Sequence, residues 1–140
     1  MALFPSPEWL VAYADAIQAS DDLRQAAHAW EGDITLVVEA EPDKNVPVDV
    51  WAWFHLHRGD FLGAKLVGPD EGERARYVIK ASYSVWKDVI GGRIEPVRGM
   101  TQGKLKLSGD LPALTQHIPA VAQLVNLAAQ ITTEFADEHG

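Results

Sequence analysis

At 140 residues and 47% apolar, the chain is long enough to bury a real core and fits one domain, residues 1–140. It has no cysteine, which excludes disulfides, thiolate catalysis and cysteine-ligated zinc, and no apolar run reaches the ~18 residues of a membrane span. The formal net charge of -8 disfavours nucleic acid and anionic membranes as partners, and its lysines and arginines form no cluster in sequence. No basic region followed by an apolar one opens the chain, so no secretory leader is expected. The end, Glu138-His139-Gly140, carries no address signal, and a cytoplasmic location is expected.

Ser6-Pro7-Glu8 reads as a helix start: a serine cap, proline at the first helical position and an acid in the first turn. Trp9, Leu10, Tyr13 and Ile17 then share a face. A short helix is predicted from Ser20 or Asp21 to Trp30, stopping near Gly32. Asp33 to Ala40 alternates as a strand, with Ile34, Leu36 and Val38 on one side. A loop with two prolines follows. Asp49 to Arg58 is a second strand, with Trp51, Trp53, His55 and His57 on one face and Ala52, Phe54 and Leu56 on the other. Gly59-Asp60 turns the chain into a third strand, Phe61 to Val67. Gly68 to Glu73 breaks the pattern before a fourth strand, Arg74 to Ala81.

Ser82 caps a helix whose Tyr83, Trp86, Val89 and Ile90 fall together, and Gly91-Gly92 ends it. Arg93 to Gln102 is an irregular or briefly helical link containing Pro96. Gly103 to Ser108 alternates again, with Leu105 and Leu107 inward and Lys104, Lys106 and Ser108 outward. Asp110 caps a short helix with Leu111 and Leu114. Ile118, Val121, Leu124, Val125, Ala128, Ile131 and Phe135 then trace a helical stripe. With no repeat or linker, the pattern is an α+β domain.

The run Tyr77-Val78-Ile79-Lys80-Ala81, the capped helix holding Trp86, then Gly103-Lys104-Leu105-Lys106-Leu107-Ser108-Gly109-Asp110 and a last apolar helix resemble the sterol carrier protein 2 family. The segments Trp30-Glu31-Gly32 and Gly63-Ala64-Lys65 resemble its small free-standing prokaryotic members. The resemblance covers about the whole chain. It implies a five-stranded mixed sheet covered on one face by helices, in the order helix, three strands, crossover, strand, helical segment, strand, helix. The Gly68 to Glu73 segment would be that crossover. It also implies a non-enzymatic domain that holds a lipid (a sterol, fatty acyl chain, acyl-CoA or phospholipid) in an apolar tunnel between sheet and helices. The peroxisomal signal and fused enzyme domains of some family members have no counterpart here.

Such a site needs apolar area rather than particular residues. About ten methylenes removed from water contribute on the order of 8 kcal/mol before ordering costs, and micromolar binding needs roughly 8 kcal/mol. The expected lining residues are Trp86, Ile90, Met100, Leu105, Leu107, Leu114, Ile118, Val121, Leu124 and Val125, with Lys87, Arg93 or Arg98 near an anionic head group.

Rival constellations are weaker. His55-x-His57 has the spacing of two metal ligands, with Asp33 or Glu39 available as a third, but no motif signals the set, and no metal or cofactor is expected. The two tryptophans on that face suggest a covered surface or a homodimer. No nucleophile elbow, P-loop or dinucleotide fingerprint occurs. Asp15, Asp21, Asp22, Glu39 and Asp60 have no paired base, and His28 and His117 stand alone, so no catalytic residue is expected. Two alternatives to lipid binding remain. One is a protein-interaction or dimerisation module using the Trp/His face. The other is a small cavity enzyme acting on an apolar substrate, which needs a buried carboxylate or histidine with a shifted pKa. Cavity volume separates lipid binding from the interaction module: a closed core between the last helix and the fifth strand favours the module.

Overall fold

The computed structural model describes residues 1–138; His139 and Gly140 of the terminal tripeptide lie outside the described residues. The chain runs β1 (Ala2–Phe4), α1 (Pro7–Ala19), α2 (Asp21–Ala26), β2 (Glu31–Glu39), β3 (Val50–His57), β4 (Asp60–Val67), α3 (Pro69–Gly72), β5 (Tyr77–Ser82), α4 (Tyr83–Ile90), α5 (Pro96–Thr101), β6 (Lys106–Gly109), α6 (Leu111–Gln116), α7 (Ile118–Asn126) and β7 (Thr133–Phe135). It is an α+β fold with a five-stranded mixed sheet of order β4-β3-β2-β5-β6. All its pairings are antiparallel except β2 with β5, which is parallel.

That parallel pairing requires a crossover, and the segment Gly68 to Glu73 supplies it. The segment carries α3 across the sheet face opposite the main helices. There the Thr35 hydroxyl donates to the Gly72 carbonyl at 2.8 Å, and Gly72 lies so close that a Cβ would come within 2.6 Å of the Trp51 ring.

Alternation along the strands divides the sheet into two faces. Ile34, Leu36 and Val38 of β2, Phe54 and Leu56 of β3, and Tyr77, Ile79 and Ala81 of β5 join the main core under the helices. Val37, Trp51 and Val78 form a second, smaller cluster on the other face. The caps act where expected: the Ser6, Ser20 and Ser82 hydroxyls accept the Trp9, Leu23 and Val85 backbone N–H groups.

Several predicted boundaries shift, each for a hydrogen-bonding reason. The second helix ends at Ala26 rather than Trp30, whose own N–H turns back to the Ala27 carbonyl. The fourth strand begins at Tyr77, because the Arg74 and Ala75 N–H groups close the turn of α3 by donating to Glu71 and Gly72. Similarly, Lys104 and Leu105 both donate to the Gly99 carbonyl, so β6 begins at Lys106 and Leu105 precedes it. The link before it contains the six-residue helix α5, capped by the Glu95 carboxylate.

The largest correction concerns the last helix. The stripe from Ile118 to Phe135 is not one helix. α7 stops at Asn126, a 3-10 turn covers Leu127–Gln130, and Ile131 is extended. Thr133–Phe135 then pairs in parallel with Ala2–Phe4, a second, two-stranded sheet. The β-branched pair Thr132-Thr133 suits the extended segment.

Candidate functional site

A cavity of about 50 Å³ lies on the helix-covered side of the sheet, at the β4 end. Its floor is Leu36 and Val38 of β2, Val50, Ala52 and Phe54 of β3, and Leu66 of β4. α1 supplies Trp9, Leu10 and Tyr13, and α4 supplies Trp86 and Ile90. Phe4, Pro5, Ser6 and Ala128 complete the wall.

Aromatic packing shapes this wall. Phe4 meets Trp9 edge-on at 4.8 Å, Trp9 lies 5.0 Å from Tyr13, and Tyr13 meets Phe54 edge-on at 5.5 Å between centroids. Small residues, Ala52 and Ala128, stand among these rings. Leu66 is 41% exposed and marks the side where the cavity approaches solvent, along edge strand β4.

The polar groups of the wall side chains are bonded to the protein itself. The Tyr13 hydroxyl donates to the Leu124 carbonyl at 2.5 Å, and burial pushes its pKa far up, so it stays protonated. The Trp86 indole N–H donates to the Val37 carbonyl at 2.9 Å, and that of Trp9 to the Thr133 hydroxyl at 3.0 Å. The Ser6 hydroxyl oxygen accepts the Trp9 backbone N–H at 3.1 Å. Among the described residues, no carboxylate, histidine, lysine or arginine lines the cavity.

The two chain-terminal strands close over the α1 and α4 side. β1 ends at Phe4, whose ring stacks on Tyr83 at 6.0 Å. Beyond β7, the Asp137 carboxylate accepts the Tyr83 hydroxyl at 2.6 Å and the Lys87 ammonium at 2.9 Å. These two donors, Tyr83 first, hold the Asp137 carboxyl below the usual carboxylate range, and Asp137 in turn raises Lys87.

Of the expected lining residues, the structure brings Trp86 and Ile90 to this cavity. Leu105, Leu114, Val121, Leu124 and Val125 are no more than 1% exposed and sit in packed core. Met100 and Leu107 are half-buried against that core, and Ile118 opens α7 half-buried. The candidate head-group cations stand elsewhere: Lys87 pairs with Asp137 and with Glu138 at 3.1 Å, Arg93 with Asp88 at 3.5 Å, and Arg98 is exposed on α5. Sequence reasoning placed Trp9, Tyr13, Leu36, Val38 and Phe54 on inward faces without assigning them to a site. Alanines among large inward residues, Ala52 above all, were the available signal.

The SCP-2 sterol transfer family matches residues 14–122. The chain belongs to this family. Among solved structures, the chain is similar to a crystal structure of sterol carrier protein 2, with 35% identity and a TM-score of 0.78 over 89% of this chain and 95% of that one. It is similar to a Thermus thermophilus protein described as possibly a sterol carrier protein, with 34% identity and a TM-score of 0.76 over 92% and 90% of the two chains. The apo form of sterol carrier protein 2 from Yarrowia lipolytica shares the fold at 14% identity and a TM-score of 0.59, over 91% and 94%. A comparison with curated proteins found no match.

Among the described residues, no group of three or more His, Asp or Glu side chains could hold a metal ion, and no helix is long and apolar enough to cross a membrane. The Trp/His row lies on the face opposite the cavity. Trp51 is buried there with Lys80 over its ring, and the Trp53 indole N–H donates to Asp33 at 2.7 Å. His28 bonds the Gln25 carbonyl, and His117 packs 5.4 Å from Trp30.

Proposed function

We propose that this protein is a non-enzymatic lipid-binding or lipid-transfer domain, one sterol-carrier-protein-like unit working in the cytoplasm. It takes a sterol, a fatty acyl chain or the acyl part of an acyl-CoA between sheet and helices. The observation that carries this reading is the apolar-walled cavity under α1 and α4 in a member of the SCP-2 family. Its wall offers shape and hydrocarbon contact, the main requirements for a lipid. Among the described residues it offers no acid, base or unpaired nucleophile, which supports binding without catalysis.

The cavity of about 50 Å³ is small beside the ~150 Å³ that admits benzene. Lipid uptake therefore requires the wall to part. α1 and Phe4 of the β1–β7 ribbon cover it on one side, while the sheet beneath is hydrogen-bonded on both flanks of β2 and β3.

The small volume and the filled core around Leu105 and Val121 favour a second reading, an interaction or homodimerisation module working through the Trp51/Trp53 face. Native mass spectrometry of protein purified from cells separates the two. Copurified lipid is expected, together with a saturable change in tryptophan fluorescence on titration with dodecanol or a sterol. Trp86→Ala should weaken that binding more than Trp53→Ala. The opposite order moves the site to the other sheet face. A blank spectrum with no saturable response to any lipid class ends the lipid reading.

A further inference from the structure

We infer that the cavity selects an uncharged lipid end, such as an alcohol, sterol hydroxyl or ester, over the carboxylate of a free fatty acid. The inference rests on the lipid-binding reading and narrows its ligand class. Three observations lead to it.

The first is the state of the polar groups on the wall. The Trp9, Tyr13 and Trp86 donors are each committed to a protein acceptor, and the Ser6 oxygen is committed to a cap. Among the wall side chains, a carboxylate buried here would find only the Ser6 hydroxyl hydrogen as a donor and no cation, and a charge buried without a counter-charge is strongly disfavoured. A single hydroxyl or ester oxygen asks for no more than Ser6 can supply.

The second is the position of the cations. Two lysines adjoin wall residues in sequence, and both are engaged elsewhere. Lys65, beside Leu66, lies over the Trp53 ring on the opposite sheet face and pairs with Glu71 at 2.8 Å. Lys87, beside Trp86, is held by Asp137 and Glu138.

The third is the net charge. The whole chain carries -8 and Glu8 stands in the first turn of α1, while Glu39 is paired with Lys106 at 3.3 Å and the Asp49 carboxylate accepts the Ala40 N–H. The net charge therefore acts against an anionic head group only as a long-range bias.

Dodecanol and dodecanoate form a matched pair differing only at the end group. They are titrated against tryptophan fluorescence at a pH where dodecanoate is ionised. Dodecanol is expected to bind at least about tenfold more tightly. Leu66→Lys places a cation at the partly exposed rim and is expected to raise dodecanoate affinity severalfold relative to Leu66→Gln, with dodecanol affinity equal in the two variants. Dodecanoate binding as tightly as dodecanol to the unmodified protein overturns the inference while leaving lipid binding intact. So does a Leu66→Lys variant that folds and gains nothing for dodecanoate. A protein that binds neither compound, with no copurified lipid, overturns the lipid-binding reading and this inference with it.

Discussion

The helix-covered side of the sheet is filled differently at its two ends. Around α5, α6 and α7, the branched aliphatics Leu105, Leu114, Val121, Leu124 and Val125 interlock until almost none of their surface remains exposed. Under α1 and α4, flat rings (Phe4, Trp9, Tyr13, Phe54, Trp86) stand against Ala52 and Ala128, and a gap stays open. The aliphatics interlock closely, whereas the rings, edge-on or tilted to one another, leave a gap between them. Both ends are apolar. Whether an apolar region becomes core or cavity depends here on side-chain shape.

The contrast is tested most severely at the packed end. Leu105→Ala removes a side chain that is 1% exposed and packed beside Gly99, so it should cost about 2–5 kcal/mol of unfolding free energy in urea. Lipid affinity of the folded protein should stay within about twofold, below the tenfold that about 1.4 kcal/mol represents. A selective loss of binding with stability retained would move the site toward α7.

Filling the open end should do the reverse. Ala52→Val adds two methyl groups facing the cavity and suits its strand position. Stability should change by less than about 1.5 kcal/mol, while lipid affinity falls about tenfold. Unchanged affinity, measured by the same fluorescence titration, would mean that the guest lodges elsewhere.

The smallest effect belongs to the Asp137 contact at the edge of the open end. Asp137→Asn weakens the bonds to Tyr83 and Lys87 and should cost about 1 kcal/mol at neutral pH. The folded-state carboxyl titrates below its unfolded value of about 3.9. Its stabilising contribution is therefore complete above that unfolded value and disappears as pH falls through the lower folded one. Urea midpoints of the two proteins should differ at neutral pH and converge in acid. A difference that persists below both values would assign the effect to packing.

Most of the framework is legible in the residues because it is periodic. Ile34-Leu36-Val38 and Ala52-Phe54-Leu56 declare their faces by alternation, and Ser6 and Ser82 declare the starts of α1 and α4. The crossover came from family resemblance, since Gly68 to Glu73 alone reads equally as a hairpin. β1 and β7 escaped because three residues show no period, and their pairing joins positions 2–4 to positions 133–135. Ile131 and Phe135 also fall at helical spacing from α7, so the pattern overran the true end at Asn126. The cavity was hardest to read. Sequence marks which side chains point inward, but a void follows from how rings and alanines from α1, β3 and α4 meet in space. The expected lining therefore concentrated on the greasy stretches Leu105–Leu107 and Ile118–Val125.

The ribbon of β1 and β7 rests on three residue pairs, Ala2 with Thr133, Leu3 with Glu134 and Phe4 with Phe135. So short a ribbon frays as a local event, leaving the five-stranded sheet intact. Because Phe4 belongs to the cavity wall, each such event bares the interior to solvent. On the lipid-binding proposal, the residence time of a guest would follow how often the chain ends separate, and amide exchange at Phe4 would be a clock for ligand release.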